Sequence, residues 1–272
     1  MSLPHPRTGH VAVVTGASSG IGAELARELS RRGHELVLVA RSADRLEALA
    51  DELGDKGGTA HVVPADLADR EVRAGLLGEL EARGLTPQVL VNNAGFSTLG
   101  PVHRRPPEEE LALVEVDVAA VVDLCTRFLP IMVARGSGAV LNVASTAAFQ
   151  PLPGQAAYAA AKAFVLSYTR SLAAELAGTG ISATALCPGP VETGFGEAAG
   201  FTEEEASNAL PGPMWLPAEE VALAGIEGMA KERPVVIPGA ANRVGAALAH
   251  LAPKRLLAPL VARNHPGLRR PR

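Results

Sequence analysis

A chain of 272 residues with 47% hydrophobic and 20% charged residues is neither disordered nor short of core, and its length suits one large α/β domain or two smaller ones. Only 3% of the residues are aromatic, and the frequent Gly (28) and Pro (21) follow no collagen-like period, which argues against a β-sandwich and for helices packed closely on a parallel sheet. The net charge of −4 offers no basic excess for general nucleic-acid binding. Cys125 and Cys187 lie far apart and lack the nearby Cys or His partners of a zinc site. They read as reduced core residues of a cytoplasmic protein, with no metal expected. Residues 1–10 contain no apolar core of a signal peptide, and no apolar run is long enough to span a membrane.

In chain order, a short apolar strand is followed repeatedly by an amphipathic helix. The predicted strands are His10–Val14, Glu35–Ala40, His61–Pro64, Val89–Asn92, Ala139–Val143, Ile181–Leu186 and Pro234–Ile237. The helices between and after them are Gly20–Arg32, Asp44–Leu53, Asp69–Arg83, roughly Pro107–Arg135, Gln155–Ala177 and Pro217–Lys231. This alternation predicts right-handed crossovers and an α/β fold, a doubly wound parallel sheet of Rossmann type with helices on both faces. Pro106–Pro107 before three glutamates, Pro217 before Glu219 and Glu220, and a Thr202–Glu205 capping box read as helix starts rather than metal ligands.

Between the first strand and helix stands Thr15-Gly16-Ala17-Ser18-Ser19-Gly20-Ile21-Gly22. Gly16 permits the tight turn, Gly20 admits a pyrophosphate close to the backbone, and Gly22 lets helix and strand pack closely, with the helix N–H groups facing the phosphates. Gly16–Gly20 also matches the GxSxG elbow of hydrolases, but too little chain precedes it to supply an oxyanion-hole N–H. At the end of the second strand there is no acid to hold a ribose; Arg41, with Ser42 and Arg45 nearby, suits a 2′-phosphate, so NADP(H) is favoured over NAD(H). Tyr158 and Lys162 share one helix face, and Ser145 ends the strand before them at the sheet edge where ligands bind. A tyrosine acting as a base near neutrality needs about 4 kcal/mol of help, which an ammonium in a low-dielectric pocket supplies. The Ser145 hydroxyl is placed to polarise a carbonyl.

Taken together these segments resemble the short-chain dehydrogenase/reductase family over about residues 8–240, leaving residues 241–272 as an apolar, basic extension. The resemblance rests on the glycine loop, Asp66, Asn92-Asn93-Ala94-Gly95, Ser145, Tyr158 with Lys162, and Pro188-Gly189 followed by Thr193. It implies that Ser18, Ser19, Ile21, Asp66, Leu67, Asn93, Ala94, Gly95, Pro188, Gly189, Val191 and Thr193 border the cofactor. It also implies that Ser145 orients the carbonyl, Tyr158 transfers the proton, and Lys162 binds the nicotinamide ribose and lowers the tyrosine pKa. Asp117 departs from the family, which usually carries asparagine there. A carboxylate can sustain a proton relay, offset part of the lysine's effect, or simply serve a helix kink.

The family's substrate loop falls at about residues 194–216, where Phe195, Phe201, Met214 and Trp215 suggest an apolar lid. The helices holding Pro130-Ile131-Met132 and Phe164 imply a homodimer or homotetramer. The extension is expected to pack on its own domain or on a partner subunit; Pro253 and Pro259 weigh against a membrane-surface helix. The function implied is oxidoreduction of a small carbonyl or alcohol substrate. A non-catalytic NADP-binding regulator on the same scaffold is the alternative, motivated by Asp117. A methyltransferase explains neither Tyr158 with Lys162 nor Arg41.

Overall fold

The computed structural model describes residues 3–202 and 212–269. Seven parallel strands form one sheet in the order β3-β2-β1-β4-β5-β6-β7. They are β1 (His10–Thr15), β2 (Glu35–Ala40), β3 (Ala60–Pro64), β4 (Thr86–Asn92), β5 (Gly138–Val143), β6 (Ile181–Leu186) and β7 (Val235–Val236). The helices that follow are α1 (Gly20–Arg31), α2 (Ala43–Asp55), α3 (Arg70–Ala82), α4 (Pro107–Val114), α5 (Ala120–Arg135), α6 (Ala156–Glu175), a short α7 (Phe195–Ala198), α8 (Ala218–Ala230), α9 (Ala240–Leu251), α10 (Lys254–Asn264) and a last turn, α11 (Pro266–Arg269). The predicted elements agree within a few residues. β4 begins earlier than its apolar run because Pro87 is accommodated at an irregularity in the β1–β4 register. The Glu205 half of the expected capping box lies outside the described residues.

Alternation along each strand builds two cores. Val11 and Val13 of β1 face the layer of α3, α5 and α6, with Leu76, Leu124, Phe128 and Val165. Ala12 and Val14 face α1, α2 and α8, with Leu25, Leu29, Leu46, Ile226 and Met229. The strand order reverses between β1 and β4, so the carboxyl ends of these two strands open the crevice where such sheets take ligands.

The expected long helix between β4 and β5 is interrupted by a π turn, Glu115–Ala119. Its extra residue rotates the following α5 face by about 100°. Met132 is fully buried, with Gly138 leaving the space its side chain fills, and so does not lie on an outward pairing face. On the exterior, Leu111 and Val114 of α4 and Phe164 of α6 are exposed, and Phe164 stacks on Tyr168 at 5.9 Å. No described helix is long and apolar enough to cross a membrane.

Candidate active site

The loop after β1 is shaped by backbone demands. Gly16 and Gly20 have φ of +65° and +54°, a region that disfavours other residues. A Cβ on Gly22 would lie 2.2 Å from the Gly16 carbonyl oxygen, and one on Gly16 would run into Asn93 and Ala94. Ser19 ends the loop as N-cap of α1 but makes no side-chain cap, and the first turn of α1 carries no acid. In α3, by contrast, Asp69 accepts from the N–H groups of Glu71 and Val72, and three glutamates occupy the first turn of α4. The N–H groups of α1 are therefore left for an anion, with Ser18 and Ile21 part-exposed beside them. Thr193 closes the loop from the far side, its Cγ2 standing 3.1 Å from a Cβ built on Gly20.

Arg41, Ser42 and Arg45 are all exposed at the end of β2 and the start of α2. Asp66 is exposed after β3, where its carboxylate accepts from the Ala68 N–H at 2.9 Å. Leu67 is a partial correction: its side chain enters the core, so only its backbone can border a ligand. This turn is braced by Arg73, which donates to the Leu67 carbonyl at 2.6 Å and pairs with Glu115 and Asp123 at 3.0 and 3.4 Å. Asn93 has a bracing role beside its place at the site. Its amide donates to the carbonyls of Thr15 and Gly16, while the Thr15 hydroxyl accepts from the N–H groups of Asn93 and Ala94. Asn93 thus holds the glycine loop in shape and keeps no side-chain donor for a ligand. Deeper in the sheet, Asn92 donates to Asn142, and Asn142 donates to Thr169 of α6. This registers α6 on β4 and β5.

Ser145 follows β5, its Oγ accepting from the Ala147 N–H at 3.1 Å. In the first turn of α6, Tyr158 is half-buried, with its ring tilted at 49° to that of Phe195 and the centroids 5.8 Å apart. The Lys162 ammonium stands 5.6 Å from the centre of the Tyr158 ring, donates to the Val143 carbonyl at 3.2 Å and pairs with Asp117 at 2.9 Å. Asp117 sits at the centre of the π turn, fully buried, and accepts from the Phe96 N–H at 3.0 Å. A Cβ on Gly95 would meet both Asp117 oxygens and the ammonium at 2.9–3.1 Å, so bare backbone is required over this pair.

The electrostatics differ from expectation in one respect. Burial pushes the Tyr158 hydroxyl upward; Lys162 and Ser145 pull it down, Asp117 pushes it up again, and the net direction is upward. The lowering expected from Lys162 is therefore outweighed. For Lys162 itself burial acts downward, but Asp117 and Tyr158 prevail and hold the ammonium above its ordinary value. Burial also raises the Asp117 carboxyl, against the pull of Lys162. Cys125 and Cys187 are buried and free, their thiols pushed up to about 12 by burial. Among the described residues no group of three or more His, Cys, Asp or Glu could hold a metal ion.

After β6, the Pro188 carbonyl accepts from the Thr146 N–H at 2.8 Å, and Val191 bridges Leu216. A Cβ on Gly189 would lie 2.2 Å from Oδ1 of Asn242, whose amide donates to the Met214 carbonyl at 3.0 Å. Asn242, His265 and Arg73 were not anticipated. The only local signal for Asn242 is its place on the same face of α9 as Ala246, both buried. Residues 203–211 of the expected substrate loop lie outside the described residues.

Residues 10–204 match the pattern described as short chain dehydrogenase. The chain is 38% identical over 190 residues to a short chain dehydrogenase of Pseudocercospora fijiensis, covering 69% of this chain but 62% of that longer one. Among solved structures it resembles a short-chain dehydrogenase from Sphingobium yanoikuyae in complex with NADPH, with TM-score 0.78 and 34% identity over 88% of this chain and 92% of that one. It also resembles the bulky-bulky ketone specific alcohol dehydrogenase from Comamonas testosteroni, with TM-score 0.73 and 30% identity over 92% of both chains. With the glycine cradle, the sheet order and the Ser145–Tyr158–Lys162 group already in place, these matches show that the chain belongs to the short chain dehydrogenase family.

Proposed function

We propose that this chain is an NADP(H)-dependent oxidoreductase that moves a hydride between the nicotinamide and the carbonyl or alcohol carbon of an apolar substrate. The observation that carries this reading is the set of Ser145, Tyr158 and Lys162 at the carboxyl edge of the sheet, with the Lys162 ammonium 5.6 Å from the Tyr158 ring and buried against Asp117. The bare glycine loop, the uncapped α1 and exposed Arg41 fit a dinucleotide with a 2′-phosphate. They support one arrangement: phosphates on α1, adenosine between Arg41, Ser42, Arg45 and Asp66, and nicotinamide between Pro188, Thr193 and Tyr158. The similar Sphingobium protein is described with NADPH.

Bound NADPH supplies two electrons and one hydrogen to the carbonyl carbon. Ser145 donates a hydrogen bond to the carbonyl oxygen and fixes its direction. Tyr158 gives its hydroxyl proton to that oxygen as the C–H bond forms and the C=O π bond breaks. Lys162 stabilises the phenolate left behind and orients the nicotinamide ribose. In the reverse direction the Tyr158 phenolate takes the alcohol proton. Phe195 against Tyr158 supports an apolar substrate, as does similarity to a ketone-specific alcohol dehydrogenase. The apolar exterior of α4 and α6 supports pairing into a homodimer or homotetramer, and the two buried free thiols suit a cytoplasmic setting. Residues 8–240 are read as one catalytic unit.

Tyr158→Phe tests this reading. Ketone reduction with NADPH falls by about 10²–10⁴-fold while NADPH binding persists. The second reading, an NADP-binding regulator, is favoured by Asp117 and by the upward direction at Tyr158; it holds if the wild type binds NADPH and reduces no ketone in a broad panel.

A further inference from the structure

Residues 240–269 trace the rim of the proposed site. Their first anchor is Asn242, fully buried against Gly189 of the loop after β6 and donating to Met214. Next, His250 meets Phe149, four residues beyond Ser145 in the loop after β5, ring to ring at 6.3 Å. His265, only 7% exposed, then lies over Gly154, and its Nε2 shares a hydrogen with Gln155 Oε1 at 3.1 Å. The Gln155 amide donates to Ser97 Oγ at 2.7 Å in the loop after β4. Finally, Gly267 is buried against Leu99 and Gly100 of that same loop. The segment thus visits the loops after β6, β5 and β4 in turn, along the carboxyl edge where substrate must enter.

Two of these anchors also hold described residues of the chain after β6. Asn242 holds it at Met214, and His265 faces Phe201 edge-on at 6.1 Å. Gln155, the partner of His265, is the N-cap of α6, three residues before Tyr158. A solvated tail would not bury a histidine and an asparagine at these positions, because each buried polar side chain costs free energy unless something holds it there.

We propose that His265, through Gln155 and Phe201, is the positioning residue that sets acceptance of bulky apolar ketones, with Asn242 on Met214 as the second point of the clasp. The proposal rests on the carbonyl-reductase reading for its substrate.

Its test uses the full chain carrying His265→Ala, His265→Gln and Asn242→Ala. Each is assayed for KM and kcat with a bulky aryl ketone and for acrylamide quenching of Trp215, the single tryptophan, which adjoins Met214. With His265→Ala the KM rises about tenfold, the worth of one buried hydrogen bond, and kcat moves much less. His265→Gln, which keeps a donor for Gln155, restores KM to near wild type. Asn242→Ala increases Trp215 quenching. Unchanged KM and quenching in both alanine variants overturns the proposal, as does an equal fall in kcat that glutamine does not rescue. If the wild type reduces no ketone, the functional reading fails separately. Trp215 quenching then decides the clasp: an increase upholds it and no change refutes it.

Discussion

The two ends of the molecule solve recognition differently. From β1 to the loop after β4, the candidate cofactor surface is made largely of backbone: Gly16, Gly20, Gly22 and Gly95 each stand where a Cβ would collide or where φ is positive. From the loop after β6 onward, the candidate substrate surface is enclosed by side chains from distant segments, such as Asn242 on Gly189 and His265 on Gly154. Bare backbone at fixed spacing serves an invariant group such as a pyrophosphate and leaves a compact sequence signature. Side chains brought together across the fold can vary with the substrate and leave none.

The Lys162–Asp117 pair lies at the seam and should show the largest response. Lys162→Met leaves a buried carboxylate without its cation, and stability to urea falls by about 3–5 kcal/mol. Adding Asp117→Asn to that variant recovers most of the stability without recovering turnover. If the double variant is no more stable than Lys162→Met, the two groups are not energetically paired. Gly22→Ala forces a Cβ onto the Gly16 carbonyl and costs about 1–3 kcal/mol of stability by overpacking, and the distorted loop loses NADPH affinity in calorimetry. A variant that instead changes ketone KM alone would erase the contrast between the two ends. Arg41→Asp exchanges a cation for the acid that suits a ribose, and the NADP-to-NAD preference falls by about 10–100-fold, the worth of a charged hydrogen bond. An unchanged ratio of the two kcat/KM values would remove Arg41 from the cofactor surface.

The smallest effect is on pH dependence. Asp117 raises both Tyr158 and Lys162, so Asp117→Asn lowers the Tyr158 value. Alcohol oxidation needs the phenolate, and its acid limb moves to lower pH. Ketone reduction needs the phenol, and its alkaline limb moves the same way. The displacement is about one pH unit, the low end of what one nearby charge produces. Superimposable profiles would confine Asp117 to holding the π turn.

This contrast also explains what could be read from the sequence. Strand–helix alternation with proline and acid at helix starts located the strands, because each signal is local. Gly16–Gly22 and Tyr158–Lys162 were legible for the same reason. Asp117 reads as a carboxylate near Lys162, with a relay or a helix kink as alternatives, and the structure pairs it with Lys162 within the π turn beneath Gly95. Analogy places Met132 on a pairing face, but it is fully buried against Gly138, a contact between α5 and β5 that no local pattern shows. The Asn93 side-chain N–H groups are spent on Thr15 and Gly16, a second role that only donor accounting in three dimensions reveals. His265 meets Gln155 across 110 positions, and no periodicity encodes such a pairing.

The most direct measurement follows the hydride itself. Wild-type protein is given NADPH carrying deuterium on the transferred face of C4, together with a panel of bulky apolar ketones, and the alcohol products are analysed by mass spectrometry and NMR. Deuterium bonded to the former carbonyl carbon, in a yield matching NADPH consumed, is the predicted result. No alcohol, or alcohol with that carbon unlabelled, would contradict it.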